Sequence, residues 1–294
     1  MRDLVFVHGR SQQNKDAVAL KREWLDAFSE GLKASGLQLP LSDAAVHFPY
    51  YGDTLMALVN DVPPEEVPDI VVKGTNAGVD ELRFAGAILD EIRNQVGLTD
   101  QDVLDQANQQ IVQKGPLNWA WVQAILRTID RRVPHGSGAS IALFTKDVYQ
   151  YLRNQGVRDA IDDGVRKAIP FKPTVVVAHS LGSVVAYSLL RRDGELKGWD
   201  IPVLVTVGCP LAVTMIKDSL APRQHPKCVG DWFNARDDRD VVALYPLDQP
   251  HGWGVIPTIA NKNDVKNPTD NRHGIAGYLS DPVVARKIYD AILK

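Results

Sequence analysis

Apolar positions along this chain fall into two periods, and the order in which the periods alternate predicts the architecture. Leu4–Val7 is a short unbroken apolar run that stops at His8-Gly9, the mark of a strand buried on both faces. Ala17, Leu20, Trp24, Leu25, Phe28 and Leu32 then recur at helical spacing as far as Gly36, a suitable C-cap. Further strands are expected at Ala44–Phe48, Thr174–His179, Ile201–Val207 and Cys228–Asn234, with a weaker one at Val255–Ala260 because Pro257 lacks an N–H. Pro282–Leu293 is an amphipathic helix with Val283, Val284, Ile288 and Ile292 on its apolar side. Strands alternating with helices predict an α/β fold, a mostly parallel sheet of about six strands flanked by helices.

The middle of the chain differs. From about Thr54 to Ile169 strand signals are nearly absent. Helices are expected over Val79–Val96, Gln101–Gln113, Pro116–Val133, Ala139–Leu152 and Val157–Ile169. The loop His135-Gly136-Ser137-Gly138 is no phosphate loop, since no Lys-Ser/Thr follows its glycines. Residues 1–53 and 170–294 therefore read as the α/β core, and residues 54–169 as a large helical cap whose last helix packs back on the sheet. The blander alternative is that these helices only enlarge the core. Trp119 and Trp121 are read as core residues rather than pocket walls.

Composition narrows the classes without choosing among them. The 294 residues are 45% hydrophobic and 23% charged, as in ordinary globular proteins. A net charge of −3 gives no electrostatic case for nucleic acid or an anionic membrane. Peripheral membrane contact is expected only if the Trp119–Ile129 face is exposed. The opening apolar run is too short for a signal-peptide core, and the two cysteines, Cys209 and Cys228, have no metal-ligand spacing. A cytoplasmic location with both thiols reduced is the expectation. Asn261–Asp270 lacks the glycine-containing spacing of a calcium loop, so no metal or other cofactor is expected.

Chemistry concentrates at Thr174–Leu190. A run of β-branched residues ends in Ala178-His179-Ser180-Leu181-Gly182, and an apolar helix begins at once. This is the layout of a nucleophile elbow, in which a sharp strand-to-helix turn presents Ser180 and demands small neighbours two positions away. Ala178 and Gly182 meet that demand, and the helix N-terminus offers free amides to a developing oxyanion. A serine nucleophile needs a base, and the base needs an orienting carboxylate. The loop after the fifth strand holds Asp237, Asp238 and Asp240. Asp240, beside the apolar Val241–Leu244, is better placed for burial; Asp237 is second, and Asp237 and Asp238 read more easily as turn and solvent residues. Among seven histidines, His273 alone follows the acid loop just before a terminal helix. His47 reads as structural, His135, His225 and His251 as solvated loop residues, and His8 as a brace for the loop after the first strand.

The ordered fragments LVFVHGR, PYYGD, FTKDVYQYL, AHSLGSVVAY, TVGCPLA, DRDVVAL and HGIAGY together resemble the α/β-hydrolase superfamily, within its lipase- and esterase-like group. The resemblance covers both ends of the chain and little of the middle. It implies Ser180 as nucleophile, Asp240 as acid and His273 as base, with the backbone amides of Leu181 and Arg10 as the oxyanion hole. Ala178 stands where Gly is usual, Cys209 where Ser is commoner and Val241 where Pro often follows the acid. The first two strands of the larger fold are missing.

The implied activity is cleavage of a carboxylic ester, lipid-like or with a small acyl group, through an acyl-enzyme. Acyl transfer, thioester or amide cleavage would use the same residues, and a non-catalytic binding module on the same fold is the reading from another class. Tyr50, Tyr51 and His179 are the candidate substrate contacts, Tyr50 and Tyr51 because they follow a strand at the expected site edge, with Asp53 beyond them. Arg10 is a candidate for an anionic group.

Overall fold

The computed structural model describes residues 1–9, 16–52, 78–107, 111, 114–133 and 137–294. Its frame is a six-stranded, all-parallel sheet in the order β2-β1-β3-β4-β5-β6. The strands are β1 (Asp3–Val7), β2 (Val46–His47), β3 (Thr174–His179), β4 (Ile201–Val207), β5 (Val229–Ala235) and β6 (Ala260–Lys262). Parallel pairing demands crossover connections; helices on both faces supply them, except between β5 and β6, which a helix-free loop joins.

Strand residues alternate between two apolar cores, as the period of two requires. Leu4, Phe6, Val175, Val177, Val203 and Val205 join one core with α1 (Ala17–Lys33), α9 (Ile275–Leu279) and α10 (Pro282–Leu293). Val5, Val7, Val176, Ala178 and Leu204 join the other with α7 (Leu181–Lys197). Trp24, Phe28 and Leu32 are almost wholly buried, and each such side chain contributes roughly 1.5–3 kcal/mol. Capping sets the helix starts. Asp16 accepts from the Ala19 amide at 2.7 Å, and Asp281 accepts from those of Val283 and Val284 ahead of α10, whose first residue is Pro282.

The helical middle comprises α2 (Val79–Gln95), α3 (Asp100–Leu104), α4 (Trp119–Arg132), α5 (Gly138–Arg153) and α6 (Gln155–Ala168). Its buried residues Phe84, Ile88, Trp121, Ile125, Phe144 and Ile161 share one continuous core with the α7 face of the sheet. The helices therefore do enlarge the core. α5 and α6 pack on α7. A polar network centred on the buried Asp162 fastens that contact: Asp162 accepts from the Tyr151 hydroxyl at 2.8 Å and from Arg192 at 2.6 Å, and Arg166 pairs with Asp193 at 2.7 Å. Trp121 is buried and Trp119 packs against the same core, so the apolar side of Trp119–Ile129 turns inward. No helix among the described residues is long and apolar enough to cross a membrane.

Several expectations are corrected. The sixth strand lies at Ala260–Lys262, beyond Pro257, because its partners Phe233–Ala235 need N–H donors along the edge. The helix expected over Gln101–Gln113 spans only Asp100–Leu104, with residues 108–110, 112 and 113 outside the described set. Val283 is half exposed, since Val284, Ile288 and Ile292 define the buried stripe and Val283 lies about 100° from Val284. The strand at Ala44–Phe48 shrinks to Val46–His47 behind a single tight turn, Asp43–Ala45. Two short helices, α8 (Thr214–Ser219) and α9, arise without an expectation.

Candidate active site

Ser180 joins β3 to α7 with φ 56° and ψ −128°. That left-handed region is costly for a residue with a Cβ, and among the described residues only Ser180 and Arg272 enter it without being glycine. The turn is tight because α7 begins at once under the β1 loop. A Cβ on Gly182 would collide with the Val7 and His8 carbonyls, and one on Gly9 would stand 2.8 Å from the Ser180 Cβ. A methyl at Ala178 is tolerated: it faces the α7-side core.

The ends of β3, β5 and β6 bring three side chains together. His273 Nε2 lies 2.8 Å from Ser180 Oγ, and His273 Nδ1 lies 2.7 Å from Asp240 Oδ2. A hydroxyl donating to Nε2 and an Nδ1–H donating to the carboxylate satisfy both contacts with a neutral imidazole. Asp240 is buried, and its Oδ1 accepts from the Val242 amide at 2.8 Å while the Tyr278 hydroxyl donates to Oδ2 at 2.6 Å. Burial by itself would raise its carboxyl. The facing His273, the Tyr278 hydroxyl and the Val242 amide outweigh burial and hold it below the ordinary carboxylate value.

The remaining loop contacts hold His273 in place. His179 Nε2 donates to the His273 carbonyl at 2.7 Å, and burial beside His273 pulls the His179 imidazole down to about 3. Gly208 has φ 56°, and a Cβ there would press to 3.2 Å from both the His179 and His273 rings. Asp237, expected as a turn or solvent residue and weighed as a second acid, does open the turn at Asp238-Arg239, but it is fully buried rather than solvated. It accepts from the amides of Arg239 and Asn267, each at 2.9 Å, and so ties the acid loop to the base loop. Its own amide donates to the Tyr278 hydroxyl at 3.2 Å. Asp238 is exposed, as expected.

Other expected residues are placed as follows. Leu181 is buried and opens α7, where first-turn amides have no acceptor within the helix. Tyr51 is buried behind the β1 loop against His8, and Tyr50 is half-buried with its ring 5.7 Å from the His8 ring. Neither lines the cavity beside Ser180. Arg10, Asp53 and His135 lie outside the described residues. His47 bonds Asp3 at 2.7 Å and is structural, His251 bonds Asp248, and His225 is buried rather than solvated. Cys209 and Cys228 are free thiols, pushed up to about 12 and about 11 by burial. No group of three His, Cys, Asp or Glu side chains among the described residues is arranged to hold a metal ion.

A cavity of about 650 Å3 opens onto Ser180 and His273. Val96, Leu98, Ile141 and Phe144 wall it from the helical middle, and Val241 and Val242 from the acid loop. Arg239, Arg272 and Asn271 supply polar lining. The size suits a small organic ligand with a substantial apolar part. Tyr278 and Gly208 are site residues that sequence reasoning did not single out, and Asp237 was weighed only as an alternative acid. The only signal for Tyr278 was its place five residues after His273. No protein-family model, no curated protein and no solved structure matches the chain.

Proposed function

We propose that this protein is a serine hydrolase of the α/β-hydrolase type that cleaves carboxylic esters with an apolar acyl group. The observation that carries the reading is the unbroken series Ser180–His273–Asp240, at 2.8 and 2.7 Å, beginning at a serine held in a strained turn. A serine in an ordinary loop needs neither the strain nor an imidazole oriented by a buried carboxylate.

In the first step the Ser180 hydroxyl proton passes to His273 Nε2 as Oγ bonds to the ester carbonyl carbon. The carbonyl electrons move onto oxygen, which takes a hydrogen bond from the Leu181 amide; each such donor lowers the barrier by about 3 kcal/mol. Asp240 stabilises the imidazolium without taking its proton. The tetrahedral adduct collapses, the carbon–oxygen bond to the alcohol breaks, and His273 protonates the leaving oxygen. Water then gives a proton to His273 and attacks the acyl-enzyme. Breaking the Ser180 ester returns the proton to Oγ and releases the acid. The apolar walls of the cavity suit a hydrocarbon acyl chain. Two free thiols fit a reducing compartment, and we place the activity in the cytoplasm.

The test is covalent labelling by a fluorophosphonate probe. Native protein is expected to label, Ser180→Ala to lose labelling entirely and His273→Ala to retain a small fraction of the native rate. Folded native protein that stays unlabelled and turns over no ester from acetyl to long-chain would overturn the proposal and favour a binding module.

A further inference from the structure

Tyr51 lies outside the cavity, yet three of its contacts converge on the segment that faces Ser180. Its hydroxyl donates to the His8 carbonyl, its amide donates to His8 Nε2 at 3.1 Å, and its ring stacks on the His8 imidazole at 3.9 Å and 20°. An amide can only donate, so His8 Nε2 is an acceptor and the ring proton is on Nδ1. Nδ1–H then donates to the Gly9 carbonyl at 2.7 Å. Burial, with Asp162 nearby, pushes the Tyr51 hydroxyl far up, so it remains a donor at any working pH.

The clamped segment abuts the reacting atom. A Cβ on Gly9 would lie 3.3 Å from Ser180 Oγ, so the Gly9 backbone forms one wall of the space around the nucleophile. Fixing the Gly9 carbonyl toward His8 holds the Gly9 backbone, and with it the wall that faces Ser180 Oγ. The geometry points to Tyr51 as a positioning residue, which holds His8-Gly9 so that the backbone wall beside Ser180 Oγ stays in register with the nucleophile. The inference rests on the hydrolase reading. It also replaces the expectation that Tyr51 touches substrate.

The experiment uses Tyr51→Phe in the full chain, with active sites counted by fluorophosphonate titration. The ring and its stacking remain, and only the hydroxyl is lost. Turnover per titrated site is expected to fall roughly tenfold to a hundredfold, with KM unchanged, because misplacement by a fraction of an ångström acts on the transition state. Inhibition by a trifluoromethyl ketone, which forms the tetrahedral adduct, should weaken by the same factor. Unchanged turnover per titrated site, whatever the yield of folded protein, would overturn the assignment. A second pair covers a failure of Tyr51→Phe to fold: His8→Asn supplies an amide donor near the Nδ1 position and should turn over substrate clearly faster than His8→Ala. Equal impairment of the two would also overturn it. If native protein neither labels nor turns over esters, the hydrolase reading fails first and this inference falls with it. That result is distinct from an active native enzyme with an unaffected Tyr51→Phe.

Discussion

Replacing Tyr278 by Phe tests how the buried acid is kept ionised. The change removes a hydroxyl that donates to Asp240 at 2.6 Å and accepts from the Asp237 amide at 3.2 Å. A hydrogen bond to a charged group is worth about 1.5–3 kcal/mol, and leaving a buried amide unpaired costs about 1–3 kcal/mol. Allowing for relaxation, a loss of roughly 2–4 kcal/mol is expected at pH 7. With an unfolding entropy of roughly 2 cal/mol/K per residue, this corresponds to a fall in Tm of about 3–7 °C.

The pH dependence carries the mechanism. The folded carboxyl of Asp240 lies below its ordinary value of 3.8, so its ionised form adds stability that is present above that value and lost as pH falls through the folded value. The variant carboxyl lies higher, so the Tm difference between native and variant protein should be largest near neutrality and should narrow below about pH 4. Differential scanning calorimetry from pH 7 to pH 3 measures it. Equal Tm values at pH 7, or a difference constant over that range, would refute the reasoning.

Three other outcomes follow from the same geometry. Gly208→Ala should lower turnover by about a hundredfold with near-native circular dichroism, because a methyl there displaces His273; kinetics near the native level would refute that close approach. Burial holds the His179 imidazole near 3, so NMR should find it neutral from pH 8 to pH 5, and an imidazolium signal in that range would contradict its burial. As the folded value lies below the unfolded one, His179 adds stability above about pH 6.5 that is lost as pH falls toward 3. Val241→Trp should fill the cavity and lower kcat/KM for long-chain esters at least tenfold while sparing acetyl esters; parallel losses on both would place the acyl chain elsewhere.

The strands β1, β3, β4 and β5 were legible because buried parallel strands are short, uniformly apolar runs with turn residues at their ends. Ser180 was legible for a related reason: a strained turn between strand and helix imposes small neighbours, and Ala178 and Gly182 are local marks of it. His273 and Asp240 were found by order along the chain, since loops after successive parallel strands emerge at the same sheet edge. Edge pieces were read less well. β6 is held by pairing to Phe233–Ala235 and has little apolar pattern of its own. The short helices α8 and α9 offer too few residues for periodicity to register.

The sequence by itself determined the alternation of elements, the parallel sheet and the three side chains of the candidate site, because each leaves a local pattern. Only the tertiary structure decided what those side chains rest on. Asp237 makes the turn expected of it, but it is buried rather than solvated, with a carboxylate partner thirty positions away in the Asn267 amide. Tyr51, read as a substrate contact, faces His8, and His179 reaches across to the His273 carbonyl. The helical middle, read as a cap, both walls the cavity and shares the core of the sheet. Such contacts depend on which chain segments meet across the sheet edge. A buried polar group takes whichever distant partner satisfies it, and nothing in its immediate sequence records that choice.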